Sequence, residues 1–456
     1  MPLQHLRLDI WKSCEQSLLL CYPGPMFAER RKRLCSTLAE GTVVILVGSG
    51  NMVRSNDTEF PFRQDSDLHY LTGFDHPNAV AILNVGRSPN FTLFVEPKNQ
   101  EMETWTGYRP GVEGAIESFG ADQAFPIEEL QKRLPEILSE ATSVYHVLGK
   151  HREVDDQMVS ILNDMRIRSR SAKTPAAQIV DPRSIIHEMR VVKDPTELEL
   201  MRAAASITKE AHRYAASLSF DGTKEYEIEA ALSYVFRKKG ASGPAYTSIV
   251  GSGSNATTLH YVRNEDALKD SELVLIDAGC EYQGYASDVT RTYPIGGHFD
   301  GARRAVYSAV LEAQAASIEA SQPGATLQEV HDASVQHLSM CMIDLGLLSG
   351  SLDEVIEQNS YRRFYMHNTS HWLGLDVHDA GNYSIDGKPR KLLPGMVYTV
   401  EPGLYIRNDD DEVPQEFRGI GVRIEDDIHI TESGIEILTA DIPKEPSEVE
   451  EWVLTR

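Results

Sequence analysis

LVLIDAGCEYQGYASDVTRTYPI, residues 273–295, sets two carboxylates where a sequence rarely puts them. The apolar run Leu273, Val274, Leu275, Ile276 reads as a buried strand, and Asp277 ends it. Asp288 lies further on among Val, Thr and Tyr at strand positions, with Gly279 and Gly284 between. That spacing lets the two acids face each other across a hairpin. A carboxylate at the end of an apolar strand is costly unless something compensates it.

Three later segments repeat the conflict. SHWLGLDVHDAG, residues 370–381, holds His371 and His378. MVYTVEPGLYI, residues 396–406, puts Glu401 directly after an apolar strand, and Pro402-Gly403 turns the chain. GIGVRIEDDIHI, residues 419–430, puts Glu425 inside a strand of alternating Val and Ile. Any one of these acids is explained by a turn or an arginine partner. Together they would repel one another without cations. One imidazole with four carboxylates is a hard, oxygen-rich donor set that suits Mn²⁺ best, with Co²⁺, Fe²⁺ or Zn²⁺ as alternatives. Four carboxylates exceed what one ion needs, so two ions bridged by shared carboxylates are expected.

Outward from these segments the second half shows a weak echo. Gly222-Thr223 opens a helix ending near Gly240, and Pro323-Gly324-Ala325-Thr326 opens another ending near Gly346. Glu329 completes a Thr-x-x-Glu capping box with Thr326. Each follows an alanine-rich helix, residues 198–216 and 302–320, and each precedes strand-rich sequence. Two such units make an α+β domain with internal pseudo-two-fold symmetry. Upstream, Asp194-Pro195-Thr196-Glu197 is a helix start, with Asp as N-cap, Pro in the first turn and an acid near the positive helix end. The long helix it opens runs to about Ser217.

The first part alternates helices, over residues 26–38 and 127–139, with strands over 42–50, 78–85, 90–97 and 143–149. This is an α/β layer. The expected organisation is an extension over residues 1–25, an α/β domain over 26–186 and an α+β domain over 187–456.

Composition bounds the rest. The 456 residues are 41% hydrophobic and 25% charged, those of an ordinary globular protein. Lys and Arg number 44 against 68 Asp and Glu, a net charge of −24, which disfavours nucleic-acid binding. The basic run Arg30, Arg31, Lys32, Arg33 reads as a solvated helix face, and so does the acidic tail over residues 445–452. Five cysteines in an odd, wide spacing without CxxC argue for a reducing compartment. No apolar run approaches the ~18 residues of a membrane helix. The apolar stretch Leu18 to Tyr22 is too short for a signal-peptide core, so a cytoplasmic protein without membrane association is expected.

IDAGCEYQGYASDVTRTYPI, HWLGLDVHD, LLPGMVYTVEPGLYI, GIGVRIEDD and TSIVGSGSNATTLHY together resemble the pita-bread metallopeptidase family, which includes aminopeptidase P, prolidase and methionine aminopeptidase. TEFPFRQDSDLHYLTGFDHPNAVAIL, residues 58–83, is similar to the N-terminal domain of its aminopeptidase P (Xaa-Pro aminopeptidase) branch. The resemblance implies that Asp277, Asp288, His371, Glu401 and Glu425 bind two ions, with Asp288 and Glu425 bridging. It places His260, His367 and His378 beside the substrate, Arg423 and Tyr405 in the outer shell, and Tyr246 in the cleft. Glu401 would take a proton from the attacking water and pass it to the leaving nitrogen. His378 would donate to the tetrahedral intermediate.

Trp105 and Arg109 sit where the N-terminal domain of related enzymes reaches towards an active site, and their loop setting suggests contact with a partner subunit in a homodimer or homotetramer. The implied activity is release of a first residue that precedes proline. Prolidase action on Xaa-Pro dipeptides is the alternative. Creatinase-like enzymes and binding modules of this fold lack the ligands that this chain retains. One departure stands out. The family often has His-Gly ahead of the ligand histidine, whereas this chain has His367-Asn368-Thr369-Ser370-His371. Asn tolerates the positive φ that Gly permits there.

Overall fold

The computed structural model describes residues 24–139, 141–167 and 176–455. Most of the expected 1–25 extension lies outside them, as do Cys14 and Cys21. The chain divides after His187 into two compact units.

In the first unit, helix α1 (Gly24–Ser36) precedes a mixed sheet. Its strands are β1 (Thr42–Val47), β2 (Val80–Asn84), β3 (Phe91–Val95), β4 (Gln123–Pro126), β5 (Ser143–Tyr145) and β6 (Ile179–Val180), in the order β4-β3-β2-β1-β5-β6. β1 reads TVVILV, β-branched at most positions and buried almost throughout, as a central strand covered on both faces requires. Helices α2 (Leu130–Ser139) and α3 (Arg152–Ile167) supply Leu134, Leu138, Met158 and Leu162 to the core that also contains Val43, Ile45, Ile82 and Val144. The strand expected over 143–149 stops at Tyr145.

The basic run of α1 is not a solvated face. Arg30 and Arg31 are buried, and only Lys32 and Arg33 are exposed. The Arg30 guanidinium lies 4.1 Å from the Tyr70 ring centroid and that of Arg31 4.0 Å from the Phe91 ring. Arg31 also donates to the Leu71 carbonyl at 2.9 Å. A planar cation stacks on an aromatic face, and that satisfies burial which charge counting alone would forbid.

The second unit is built twice over. Helix α4 (Pro195–Ser217) starts on a full capping box: Glu197 N–H donates to Asp194 Oδ1 at 3.0 Å and Asp194 N–H to Glu197 Oε2 at 2.9 Å. It pairs with α5 (Glu225–Lys238), and strands β7 (Ile249–Ser252), β8 (Leu273–Asp277), β9 (Cys280–Tyr282), β10 (Tyr285–Ala286) and β11 (Thr290–Pro294) follow. Helices α6 (Gly301–Ala320) and α7 (Leu327–Asp344) repeat the pair, with the expected Thr326–Glu329 box. Strands β12 (Val397–Val400), β13 (Gly403–Ile406), β14 (Ile420–Arg423), β15 (Asp426–Ile430) and β16 (Ile435–Ile437) complete the second half. The sheets run β7-β8-β11, β12-β15-β16 and β13-β14. Both halves contribute to one core, from Ala211, Val274 and Tyr293 to Val310, Leu338 and Val422. This is a pita-bread fold.

Two sequence details shape the site. Gly279 lies so close to the returning strand that a Cβ would sit 1.8 Å from the Ser287 carbonyl oxygen, so only glycine lets Asp277 and Asp288 approach. Gln283 and Gly284 both have positive φ, 49° and 86°, the tight turn that closes β9 on β10.

Glu425 is not inside a strand. It falls in the link between β14 and β15, where the chain changes partner: β14 pairs with β13 and β15 with β12. The alternating Val and Ile run continuously through a break in pairing that leaves no trace in hydropathy. The acidic tail is solvated at Glu445, Glu448 and Glu451, as expected. It forms helix α8 (Pro446–Leu454), whose Val449 and Val453 are buried in the second-unit core and whose Glu450 accepts from Phe299 N–H at 2.9 Å.

Candidate metal centre

The four acids and one imidazole named from the sequence converge on one cavity of about 950 Å³ in the second unit. Asp277 arrives at the end of β8 and Asp288 just before β11, the first half's contribution. Glu401 follows β12, Glu425 lies between β14 and β15, and His371 stands on the approach to β12. The His371 segment is tied to β12 by Thr399 N–H donating to the His371 carbonyl at 3.0 Å and Glu401 N–H to the Thr369 carbonyl at 2.9 Å.

Asp288, His371 and Glu425 each offer a ligand atom, and these lie within 4.8 Å of one another. His371 Nε2 is 3.3 Å from Asp288 Oδ2 and 3.6 Å from Glu401 Oε1. Its Nδ1 is 3.0 Å from the Trp372 carbonyl, which accepts only from Nδ1–H and so assigns the tautomer that turns Nε2 towards the carboxylates. Asp277 is held from both sides. Tyr246 OH reaches its Oδ1 at 2.6 Å and Arg423 Nη2 its Oδ2 at 2.5 Å. The same phenol lies 2.5 Å from Asp288 Oδ1, so one proton serves two carboxylates. Thr290 Oγ1 donates to Glu425 Oε2 at 2.7 Å and accepts from Arg423 Nε at 3.1 Å.

Electrostatics show what the cluster lacks. Burial, with the neighbouring carboxylates Asp288, Glu401 and Asp277, holds Glu425 far above the ordinary carboxylate range. Burial also raises Glu401, to about 7, against the opposing charges of His371 and Arg423. Asp277 rises for the same first reason, countered by Arg423. Burial disfavours charge on His371, yet the Asp288 hydrogen bond and the Glu401 charge outweigh it, and the imidazole is pushed up to about 9. Four buried carboxylates facing one arginine and one imidazole form an anionic pocket, and cations at its centre relieve the repulsion. The donor set therefore fits divalent metal.

The remaining named residues stand around this core. His378 packs its ring 4.3 Å from that of His371, and burial, then the charge of His371, lowers its pKa. His260 lines the same cavity. His367 Nε2 accepts from Tyr405 OH at 2.9 Å, and Tyr405 in turn accepts from Arg423 Nη1 at 3.1 Å. Burial and the Arg423 charge push His367 down to about 4, so it is a neutral acceptor at the end of that chain. Asn368 keeps a negative φ, so the position tolerated for asparagine is not left-handed here. Trp105 and Arg109 belong to the first unit. Trp105 sits on the helix Gln100–Thr106, not on a loop, and is 81% exposed. Arg109 is bound to Glu96 at 3.2 Å within its own unit.

Several residues carry the site without a sequence signal. Asp427 is buried and accepts the Asp288 N–H at 3.2 Å. Asp379, beside His378, is locked by buried Arg190 and by Lys193 Nζ at 2.9 Å. Gly374 is close enough to it that a Cβ would meet Asp379 Oδ2 at 2.2 Å. The Asp288–Asp427 and Lys193–Asp379 contacts each span more than a hundred residues of chain, beyond the reach of local patterning.

Residues 199–432 match the metallopeptidase family M24, and residues 27–145 match the N-terminal domain of aminopeptidase P. The chain belongs to family M24. This M24 chain is 43% identical to the Xaa-Pro aminopeptidase of Escherichia coli over 93% of its own length and 96% of that protein. It is similar to the structure of the aminopeptidase PepP from Pseudomonas aeruginosa, with a TM-score of 0.93 and 42% identity over 95% of this chain and 98% of that one. It is likewise similar to a zinc-substituted Escherichia coli aminopeptidase P in complex with product, with a TM-score of 0.91 and 42% identity over 94% and 98%. Membership of M24 makes the chain a metal-dependent peptide hydrolase that binds divalent metal. No described helix is long and apolar enough to cross a membrane.

Proposed function

We propose that this M24 chain is an Xaa-Pro aminopeptidase, releasing the first residue of peptides whose second residue is proline. The observation that carries the reading is the convergence of Asp288, His371 and Glu425 with Asp277 and Glu401 on one cavity, in a chain whose two domains match that enzyme's pair. Asp277, Asp288, His371, Glu401 and Glu425 would hold two divalent ions, Mn²⁺ best, with Asp288 and Glu425 shared between them. Bound there, the ions supply Lewis-acid polarisation of the scissile carbonyl and acidify a water molecule.

The chain's own groups do the rest. Glu401 takes the water proton on its carboxylate and delivers it to the proline nitrogen as the bond breaks. His371 stays fixed by Nδ1–H on the Trp372 carbonyl. His378 donates a ring N–H to the oxyanion. His260 and Tyr246 face the bound peptide, and Tyr405 with Arg423 orients His367 in the same cavity. Proline brings no N–H to its own peptide bond, so a site that asks nothing of that nitrogen except acceptance of a proton takes it as substrate.

The reading extends to assembly and place. The chain works as a homodimer or homotetramer in the cytoplasm. Trp105 supports the first point: it is exposed with Tyr108 and Phe60 beside a cavity of about 460 Å³ in the first unit. The described cysteines, Cys35, Cys280 and Cys341, are all free, which supports the second. Release of the first residue from Xaa-Pro-Yaa peptides should cease with EDTA and return with Mn²⁺ better than with Zn²⁺. Equal turnover of peptides with alanine in second place would refute the proline requirement, and turnover of Xaa-Pro dipeptides alone would mark a prolidase. Trp105→Ala should slow longer peptides and leave metal content unchanged, and a fully active monomer in light scattering would refute the assembly.

A further inference from the structure

Glu225 forms no ion pair with any cation among the described residues, yet it is wholly buried. It stands at the start of α5, where an acid usually does no more than face the positive helix end. Here it turns across to another segment. Its Oε1 accepts from Ser252 N–H at 2.7 Å, Ser252 Oγ at 2.7 Å and Asn255 Nδ2 at 3.0 Å. Its Oε2 accepts from Tyr261 OH and Asp266 N–H, both at 2.9 Å. Charge-assisted hydrogen bonds from several donors are what allow a carboxylate to stay buried without a counter-ion. Every donor belongs to residues 252–266, the loop that leaves β7 and carries Leu259, His260 and Val262 into the metal cavity.

A second clamp closes the same loop. Asn264, fully buried with φ of 51°, accepts from Val250 N–H at 3.0 Å and donates to the Ser248 carbonyl at 2.9 Å. The loop is therefore tied at its base by Asn264 and across its middle by Glu225. His260 sits directly before Tyr261, whose hydroxyl is one of the Glu225 donors.

We propose that Glu225 is a positioning residue for catalysis: its carboxylate holds the 252–266 loop in the one conformation that presents His260 to the substrate. The inference rests on the reading of His260 as a substrate-facing group. Loop backbone pinned by buried charge-assisted bonds loses little order when substrate binds, whereas a loop released from them must be ordered at each turnover.

The test is a double-mutant cycle in the metal-loaded enzyme, with kcat and KM measured on Xaa-Pro-Yaa peptides. Glu225→Gln keeps the shape but presents an amide to two of the donors. It should lower kcat/KM about tenfold with bound metal unchanged. His260→Ala should lower it on its own. In the His260→Ala background, Glu225→Gln should cost less than twofold, because the group it positions is gone. Full multiplication of the two losses would overturn the positioning role while leaving the reading of His260 intact. A fully active His260→Ala enzyme would overturn that reading, and the proposal with it. If Glu225→Gln does not fold, Tyr261→Phe removes one donor from the same clamp and is read in the same cycle.

Discussion

Arg423 Nη2 donates to Asp277 Oδ2 across the two halves of the catalytic unit, in an ion pair whose members are both buried. The guanidinium does more than neutralise. Its other nitrogens bind Thr290 Oγ1 and Tyr405 OH, so one side chain fixes a cavity-lining carboxylate, the hydroxyl that holds Glu425, and the hydroxyl that holds His367.

Lysine cannot reproduce that fork. Arg423→Lys should therefore keep the charge and still lower kcat, with loss of thermal stability. Arg423→Ala should be worse, by about 3–5 kcal/mol in unfolding free energy, because it strands a buried carboxylate. Unfolding curves for the two variants check the order. Equal destabilisation by lysine and alanine would show that the fork geometry does not matter.

Asp288, Glu425 and His371 offer ligand atoms within 4.8 Å of one another, and the two acids are the pair proposed to be shared between the ions. Alanine at either should remove at least one ion as counted by elemental analysis, and abolish turnover. Retention of both ions in Asp288→Ala would refute its bridging role.

The acids at strand ends could be read from the sequence because each breaks a local rule: a carboxylate closes an apolar strand, as Asp277 closes β8 and Glu401 follows β12. The helix starts at Asp194 and Thr326 are equally local and stand where the sequence puts them. What the sequence hides is partnership over distance. The burial of Arg30 and Arg31 depends on Tyr70 and Phe91, and the fixing of Asp288 depends on Asp427. No window of hydropathy contains both members of such a pair. Glu425 shows the complementary failure, since the residue pattern continues through a point where the strand changes partner.

The His378 ring lies 4.3 Å from that of His371, and the neighbouring Asp379 is locked by Arg190 and Lys193. That placement fits the proposed role of His378 as a donor to the oxyanion beside the ions. His378→Ala should keep its metal while kcat falls by about 10²–10³, the loss expected for one oxyanion donor. Elemental analysis alongside kinetics checks this, and metal loss in that variant would make His378 part of the ion site.

His212 gives the fold a pH dependence separate from the metal ligands. It lies on α4, fully buried, with Nδ1 accepting from Tyr293 OH at 3.1 Å and Nε2–H donating to the Ala278 carbonyl at 2.9 Å. The Nδ1 bond requires the neutral ring, whereas Nε2–H donates to the carbonyl in either protonation state. Burial, with the charge of nearby Arg291, pushes its pKa down to about 4. In the unfolded chain an imidazole titrates near 6.5. Between those two values the unfolded state binds a proton that the folded state refuses, so stability falls as pH drops from about 6.5 to about 4. A shift of that size amounts to about 3 kcal/mol once complete. Above pH 7 both states are neutral at this residue and the contribution is flat. Gln at position 212 can donate and accept along the same two directions but does not titrate. Melting of wild type and His212→Gln, both stripped of metal so that ligand protonation is common to the two, should show the wild-type advantage shrinking from pH 7 to pH 4.5. A difference that stays constant across that interval would mean that the folded protein takes up the proton on His212 as readily as the unfolded chain does.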